Sequence, residues 1–291
     1  MAQVTALIHE YLRHDKKFPH VWCPGCGNGI LLGSLIRAID RTGYEKDEIV
    51  LVSGIGCAGR LPAYVDFNTL HTTHGRALTF ATGVKLANPR LQVIVIMGDG
   101  DATAIGGNHF IHAARRNLDL TAIIVNNSTY GMTGGQYSPT TPYGARATTA
   151  LFGNVEHAFS IAELAVTAGA SLVARGTVYH ATQLDDLVER AIRKRGFGVV
   201  EVISHCPTQY GKKNGMGGPV EMLRWQKDAA VRVEKAAEMS EEDLRGKFTI
   251  GILADRDLPI YVREYRKVRE AARARLEEKE NKPKIRLASG S

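Results

Sequence analysis

The sequence predicts an α/β protein, a mostly parallel sheet with helices on both faces, followed by a C-terminal extension. Three observations predict it. Short continuous apolar runs, with no polar alternation, read as strands buried on both faces. Helix-prone segments separate them. Each run also stops at a cluster of Gly, Asp, Asn, His or Cys, and ligands of such sheets bind in the loops at that C-terminal edge.

Taken in order, Val4 to Arg13 reads as a short helix, followed by an irregular stretch into Trp22-Cys23-Pro24-Gly25-Cys26-Gly27. Ile30 to Ala38 carries apolar residues at helical spacing and is ended by Gly43. Ile49–Ser53 is the first buried strand, Gln92–Met97 the second, Leu120–Val125 the third and Gly198–Ile203 the fourth. A helix is expected from about Ala104 to Asn117. Beyond about Trp225 the strand pattern fades into charged, helix-prone sequence. The expected organisation is therefore one binding domain over 1–225 and a charged, largely helical extension over 226–291.

Composition narrows the class. The chain has 291 residues, 44% of them apolar and 23% charged, as a soluble globular protein does. Its net charge of +7 is uneven, because Val262–Ser291 holds ten Lys/Arg against five Asp/Glu. A nucleic-acid binder carries its basic stripe on the folded body, so no nucleic-acid partner is expected. No stretch approaches the roughly 20 apolar residues of a membrane span. The N-terminus lacks a basic segment followed by an apolar run. A cytoplasmic protein is expected, in which cysteines bind metals more often than they pair.

All four cysteines suit one metal centre. Cys23 and Cys26 form a C-x-x-C pair in a Pro/Gly turn, Cys57 follows one strand, and Cys206 follows another and precedes Pro207. One [4Fe–4S] cluster is the leading reading. Zinc suits four thiolates equally well by chemistry, with His71 and His74 as further candidates, but structural zinc pins closely spaced ligands. These span more than 180 residues. The plainest alternative is that Cys57 and Cys206 are buried thiols.

Two glycine loops stand apart. Gly54-Ile55-Gly56-Cys57-Ala58-Gly59 matches the dinucleotide fingerprint after a strand. The helix that should follow is compromised by Arg60-Leu61-Pro62, so close backbone approach to another ligand is the better reading. Gly98-Asp99-Gly100-Asp101 ends a strand and opens a helix, which suits phosphates, with Asp99 offering Mg²⁺ a hard oxygen. Asn127 stands 28 residues after Asp99 at the next strand end, placed to share that ion.

GDG followed by Asn at that distance resembles the motif of thiamine-diphosphate enzymes. Trp-Cys-Pro-Gly-Cys-Gly-Asn-Gly (22–29), Gly-Ile-Gly-Cys (54–57), His-Gly-Arg (74–76), Tyr-Gly-Met-Thr-Gly-Gly-Gln (130–136) and Cys-Pro (206–207) narrow the resemblance. The chain is similar, from about Trp22 to Trp225, to the β subunit of the 2-oxoacid:ferredoxin oxidoreductases, most of all to the 2-oxoglutarate branch. The resemblance implies the diphosphate-binding domain of the thiamine-diphosphate fold. It implies cluster ligation by Cys23, Cys26, Cys57 and Cys206, and Mg²⁺ held by Asp99, Asn127 and the Thr129 carbonyl. Ile55, Gly56, Cys57, Ala58, His74, Gly100, Asp101, Gly131 and Met132 would contact the cofactor. His74 and Arg60 are the implied catalytic pair, Arg60 meeting the distal carboxylate of a dicarboxylic 2-oxoacid.

The implied reaction is CoA-dependent oxidative decarboxylation of 2-oxoglutarate to succinyl-CoA, with electrons passing to ferredoxin, run in either direction. Pyruvate and branched-chain 2-oxoacids are alternative substrates. A non-catalytic, zinc-stapled assembly module is the alternative from another class. A larger α subunit is expected to supply the second half of the thiamine site, in a heterodimer or a dimer of heterodimers. The basic tail suits docking of an acidic ferredoxin.

Overall fold

The computed structural model describes residues 2–15 and 18–280. Eight strands form one sheet: β1 (Ile49–Ser53), β2 (Asn68–His71), β3 (Gln92–Gly98), β4 (Thr121–Asn126), β5 (Leu172–Thr177), β6 (Gly198–Ile203), β7 (Ala230–Arg232) and β8 (Phe248–Asp255). Their order is β2-β1-β3-β4-β6-β5-β8-β7. The first six run parallel, β8 pairs antiparallel with β5, and β7 lies parallel to β8 at the far edge. The four expected strands are present as β1, β3, β4 and β6.

Successive side chains of a strand point to opposite faces, and here both faces are covered. Ile49, Leu51, Ile94, Ile96, Val200 and Val202 share one core with the helices Asn28–Thr42 and Ala181–Arg193. Val50, Val52, Val93, Val95, Ile124 and Val199 share the other with Ala77–Ala87, Gly107–Arg115 and Ile161–Thr167. That double burial is why these strands read as unbroken apolar runs. On the first face, Arg37 clamps Asp185 through Nε and Nη2 at 2.6 and 3.0 Å, tying the two helices together.

Two expectations change, and the reading of the first glycine loop holds. The helix expected from Ala104 to Asn117 is two, Asp99–Thr103 and Gly107–Arg115, because Ala104 leaves helical geometry ahead of Gly106 and Gly107. The glycine loop after β1 runs into a 3₁₀ turn, Ala58–Tyr64, with Pro62 inside it, so no dinucleotide-type α-helix follows. The segment after Trp225 is not only helical. It contributes β7 and β8 to the sheet before the helix Tyr261–Glu280. Residues 281–291, which carry part of the basic tail, lie outside the described residues.

The chain passes from β1 outward to β2 and returns on the other side of β1 as β3. The sheet therefore reverses its winding between β1 and β3, and the loops after these strands diverge there to leave a crevice. Both glycine motifs sit at that crevice.

Candidate active site

Two cavities meet at the C-terminal edge of the sheet, sharing Cys57, Asn127, Gly131 and Met132. The first, about 230 Å³, is lined by Ile55, Gly56 and Ala58 after β1, by Asp99, Gly100 and Asp101 after β3, by Thr129 and Tyr130 after β4, and by His74. Every residue expected at the cofactor or its cation reaches this one space.

Asp99 is 2% exposed, yet its carboxylate faces no cation among the described residues. Its Oδ2 accepts the Ser138 hydroxyl at 2.6 Å and the Thr140 hydroxyl, which fixes its rotamer. Burial pushes its carboxyl up to about 6 against the pull of those hydroxyls and nearby backbone N–H groups. A buried carboxylate so short of positive charge is what a divalent cation relieves. Ser138 and Thr140 were not anticipated. Their only signal in the sequence is a run of hydroxyls, with nothing to link it to an aspartate some 40 residues earlier.

Asp101 is as deeply buried, and its Oδ1 accepts the Gly75 N–H at 2.6 Å. His74 Nδ1 stands 2.7 Å from the same oxygen, at ion-pair distance but off a hydrogen-bonding line. Oδ2 of Asp101 has no hydrogen-bond partner among the described residues. Burial raises this carboxyl too, opposed by Gly75 N–H and His74. A Cβ on Gly54 would lie 1.9 Å from Asp101 Oδ2, so only glycine admits the carboxylate against the end of β1.

The third wall is a strained turn. Ser128 adopts φ 57°, between Asn127 and Thr129. Asn127 Oδ1 accepts the Thr129 N–H at 3.2 Å, and Thr141 Oγ1 donates to the Ser128 carbonyl at 2.7 Å. A non-glycine residue held at positive φ by its surroundings is the kind of strain found at binding sites.

The second cavity, about 240 Å³, is lined by Cys23, Cys26, Cys57 and Cys206 together with Trp22, Arg60 and Gln209. None of the four cysteines is disulfide-bonded. A Cβ on Gly131 would lie in ordinary contact with Cys206 Sγ at 3.4 Å and Cys57 Sγ at 3.7 Å, so both thiols stand beside this residue. Hydrogen bonds lace the cysteine loops together. Trp22 Nε1 donates to the Cys57 carbonyl at 2.7 Å. His205 Nε2 lies 2.7 Å from the Gly25 carbonyl, and its Nδ1 lies 3.2 Å from Gln226 Nε2, so Nε2 carries the proton. Burial raises the Cys26 thiol to about 11, with the other three cysteines adding to the rise, and raises Cys57 in the same way. Soft thiolates crowded together out of water favour a metal centre. No three His, Cys, Asp or Glu side chains among the described residues converge as a ready-made single-ion site. The thiols instead ring an open space.

Arg60 is exposed and borders the cysteine cavity, not the Asp99 cavity. Its guanidinium has no carboxylate partner among the described residues. A larger cavity, about 480 Å³, lies elsewhere, between the end of β6 and Trp225, Lys247 and Phe248. Its buried charges are already paired, Arg175 with Glu201 at 2.7 Å and Glu201 with Asn126 at 2.8 Å. The charge-deficient carboxylate and the four thiols make the two smaller cavities the candidate site.

Fold and site together define a thiamine-diphosphate-binding domain. A family described as "Thiamine pyrophosphate enzyme, C-terminal TPP binding domain" matches residues 54–202. The chain is 51% identical over 250 residues to "2-oxoglutarate synthase subunit KorB" of Methanothermobacter marburgensis, covering 86% of this chain and 87% of that one. It is 57% identical over 219 residues to the protein of the same name from Archaeoglobus fulgidus, covering 75% and 79%. A solved 2-oxoglutarate:ferredoxin oxidoreductase from Magnetococcus marinus, with 2-oxoglutarate, coenzyme A and succinyl-CoA bound, superposes with a TM-score of 0.82 at 31% identity, over 95% of this chain and 96% of that one. The chain belongs to the family of 2-oxoacid:ferredoxin oxidoreductase β subunits, in its 2-oxoglutarate synthase branch.

Proposed function

We infer that this chain is the β subunit of a cytoplasmic 2-oxoglutarate:ferredoxin oxidoreductase, binding thiamine diphosphate, Mg²⁺ and one [4Fe–4S] cluster. The observation that carries the reading is the pairing of a cation-deficient buried carboxylate, Asp99, with a four-thiol cavity that shares Cys57 with its own. When bound, thiamine diphosphate stabilises the carbanion left by loss of CO₂. Asp99, Asn127 and Thr129 would hold Mg²⁺ and, through it, the diphosphate. Ile55, Gly56, Ala58, Gly100, Gly131 and Met132 form the walls around the cofactor. Asp101 stands at ion-pair distance from His74 Nδ1, leaving Nε2 to hydrogen-bond substrate or exchange a proton with it. Cys23, Cys26, Cys57 and Cys206 would ligate the cluster, and a cavity of about 240 Å³ suits several irons better than one zinc bound at roughly 2.3 Å from each sulfur.

The cofactor cavity has an exposed apolar rim. Ile55 is 40% and Met132 44% exposed, which fits coverage by the α subunit in a heterodimer or a dimer of heterodimers. We assign residues 1–225 to cofactor binding and 226–291 to an extension that completes the sheet. No helix among the described residues is long and apolar enough to cross a membrane.

Arg60, free of a carboxylate partner, is assigned to the distal carboxylate of 2-oxoglutarate. A charged hydrogen-bonded pair contributes roughly 1.5–3 kcal/mol, so Arg60→Ala is expected to lower kcat/KM for 2-oxoglutarate by about 10–100-fold. Activity with pyruvate, which has no second carboxylate, should fall less than threefold. The assay is CoA-dependent ferredoxin reduction by the co-expressed subunits. Equal loss on both substrates rejects the role of Arg60, and a wild-type complex that prefers pyruvate rejects 2-oxoglutarate as the substrate.

A further inference from the structure

The four cysteines differ in their access to water. Cys206 is buried, Cys26 and Cys57 are half-buried, and Cys23 alone is exposed. A redox group held by all four would have one corner at the surface, and electron transfer weakens steeply with distance. The surface at that corner is specific in composition. Val21 lines the mouth of the cavity and is 67% exposed. Its backbone N–H donates to the Tyr64 hydroxyl at 2.6 Å, and the Phe18 ring, 50% exposed, lies 6.0 Å from the Tyr64 ring. Two exposed apolar residues, Phe18 and Val21, thus gather around Tyr64 next to the cavity. Gln209 also lines the cavity, and Lys213 Nζ donates to its side-chain oxygen at 2.8 Å. Among the described residues no carboxylate lines this cavity, and its charged lining residue is Arg60.

We propose that this mouth, centred on Cys23 and framed by Phe18, Val21 and Lys213, is the docking face for an acidic electron-carrier protein. The proposal rests on the iron–sulfur reading of the cysteines. An apolar contact flanked by cations suits a small acidic partner, since complementary charge steers encounter while a compact apolar patch holds a short-lived complex. At each docking, one electron leaves the reduced centre and the carrier accepts it, so oxidation of one 2-oxoacid needs two such events.

The basic C-terminal helix is the poorer candidate. Its first residue, Tyr261, is anchored by its N–H to the Asn117 carbonyl, and Asn117 Nδ2 donates to the Pro259 carbonyl at 3.0 Å. Asn117 precedes β4, so the helix is rooted at the N-terminal edge of the sheet. The cysteines lie at the C-terminal edge, a strand length of roughly 20 Å away.

The test uses the holo two-subunit complex and an acidic bacterial ferredoxin, with methyl viologen as a small acceptor that needs no docking face. Lys213→Glu and Phe18→Asp are each expected to raise the KM for ferredoxin about tenfold at low salt, a gap that narrows at about 0.5 M NaCl. Both should leave 2-oxoglutarate-dependent methyl viologen reduction within twofold of wild type. The double variant Arg266→Glu/Arg269→Glu on the C-terminal helix should leave the ferredoxin KM unchanged. Unchanged KM in the two mouth variants, or a raised KM in the helix variant alone, overturns the proposal. If a mouth variant loses both activities, direct binding of oxidised ferredoxin at low salt decides, weakened binding supporting the face and unchanged binding rejecting it. Methyl viologen reduction by the wild-type complex checks the function separately.

Discussion

Asp99→Asn is expected to make the cofactor-stripped protein more stable at pH 7.5 while abolishing its hold on Mg²⁺ and thiamine diphosphate. Asp99 is fully buried and its carboxyl is raised from 3.8 to about 6, chiefly by burial. Holding it ionised at neutral pH therefore costs the fold on the order of 2–3 kcal/mol. Asparagine keeps an oxygen for the Ser138 and Thr140 hydroxyls but adds an amide donor that needs an acceptor, so a net gain of about 1–2 kcal/mol is expected. The sign sets the pH window. A carboxyl whose folded pKa is raised contributes stability that is fully present below about 4 and lost as pH rises through about 6. The advantage of the variant should therefore appear between these values and level off above them. Binding runs the other way, because the cation needs the ionised form, and wild-type affinity for Mg²⁺ should fall below about pH 6. Thermal melts of both proteins at pH 4.5 and 7.5, with cofactor titrations at the same pH values, measure this. A variant that is less stable than wild type at pH 7.5 contradicts it. A site that accepts such a cost to the apo fold is following the usual opposition of stability and function.

Cys57→Ser is the second large effect. Cys57 lies on the wall shared by both cavities. Its replacement removes a soft thiolate but leaves the backbone of the loop after β1 as it is, because a serine at this position keeps the same shape. The variant should lose most of its iron and at least about 100-fold in ferredoxin reduction, as loss of a metal ligand exceeds the 10–100-fold effects of outer-shell partners. Thiamine diphosphate affinity should fall by less than about threefold, since Asp99, Asn127 and Thr129, as proposed, would hold the cation independently of Cys57. Metal analysis, visible absorption and cofactor titration on one preparation separate the two outcomes. Full iron content in the variant removes Cys57 from the ligand set.

The parts of this architecture that were legible in the sequence are local. β1, β3, β4 and β6 are buried on both faces and so appear as apolar runs. The edge strand β2 is polar and largely exposed, and leaves no such run. β5 is fully buried, but Arg175 and Gly176 interrupt its apolar character. Only the structure shows Arg175 neutralised by Glu201 on the neighbouring strand. β8 contains Gly251 and follows a charged stretch, and it becomes a strand by pairing with β5 some 80 residues earlier. That pairing is tertiary and has no local signature.

The site follows the same rule. Residues at strand ends were legible because the loop after a parallel strand has one place to be. The hydroxyls of Ser138 and Thr140, the Gly75 contact to Asp101 and the His205–Gln226 relay arise where distant loops cross. Arg60 shows the limit most clearly. Three residues after Cys57 it could face either cavity, and the 3₁₀ turn Ala58–Tyr64 turns it to the cysteine side.

If the cysteines hold a redox centre adjoining the thiamine site, its oxidation state must follow the substrate. Anaerobic addition of 2-oxoglutarate and coenzyme A to the co-purified two-subunit complex, followed by absorption near 400 nm and metal analysis, tests it directly. About four irons per β subunit are expected, with a loss of absorption that requires 2-oxoglutarate and is reversed by oxidised ferredoxin. Zinc in place of iron, or iron whose absorption ignores 2-oxoglutarate, contradicts it.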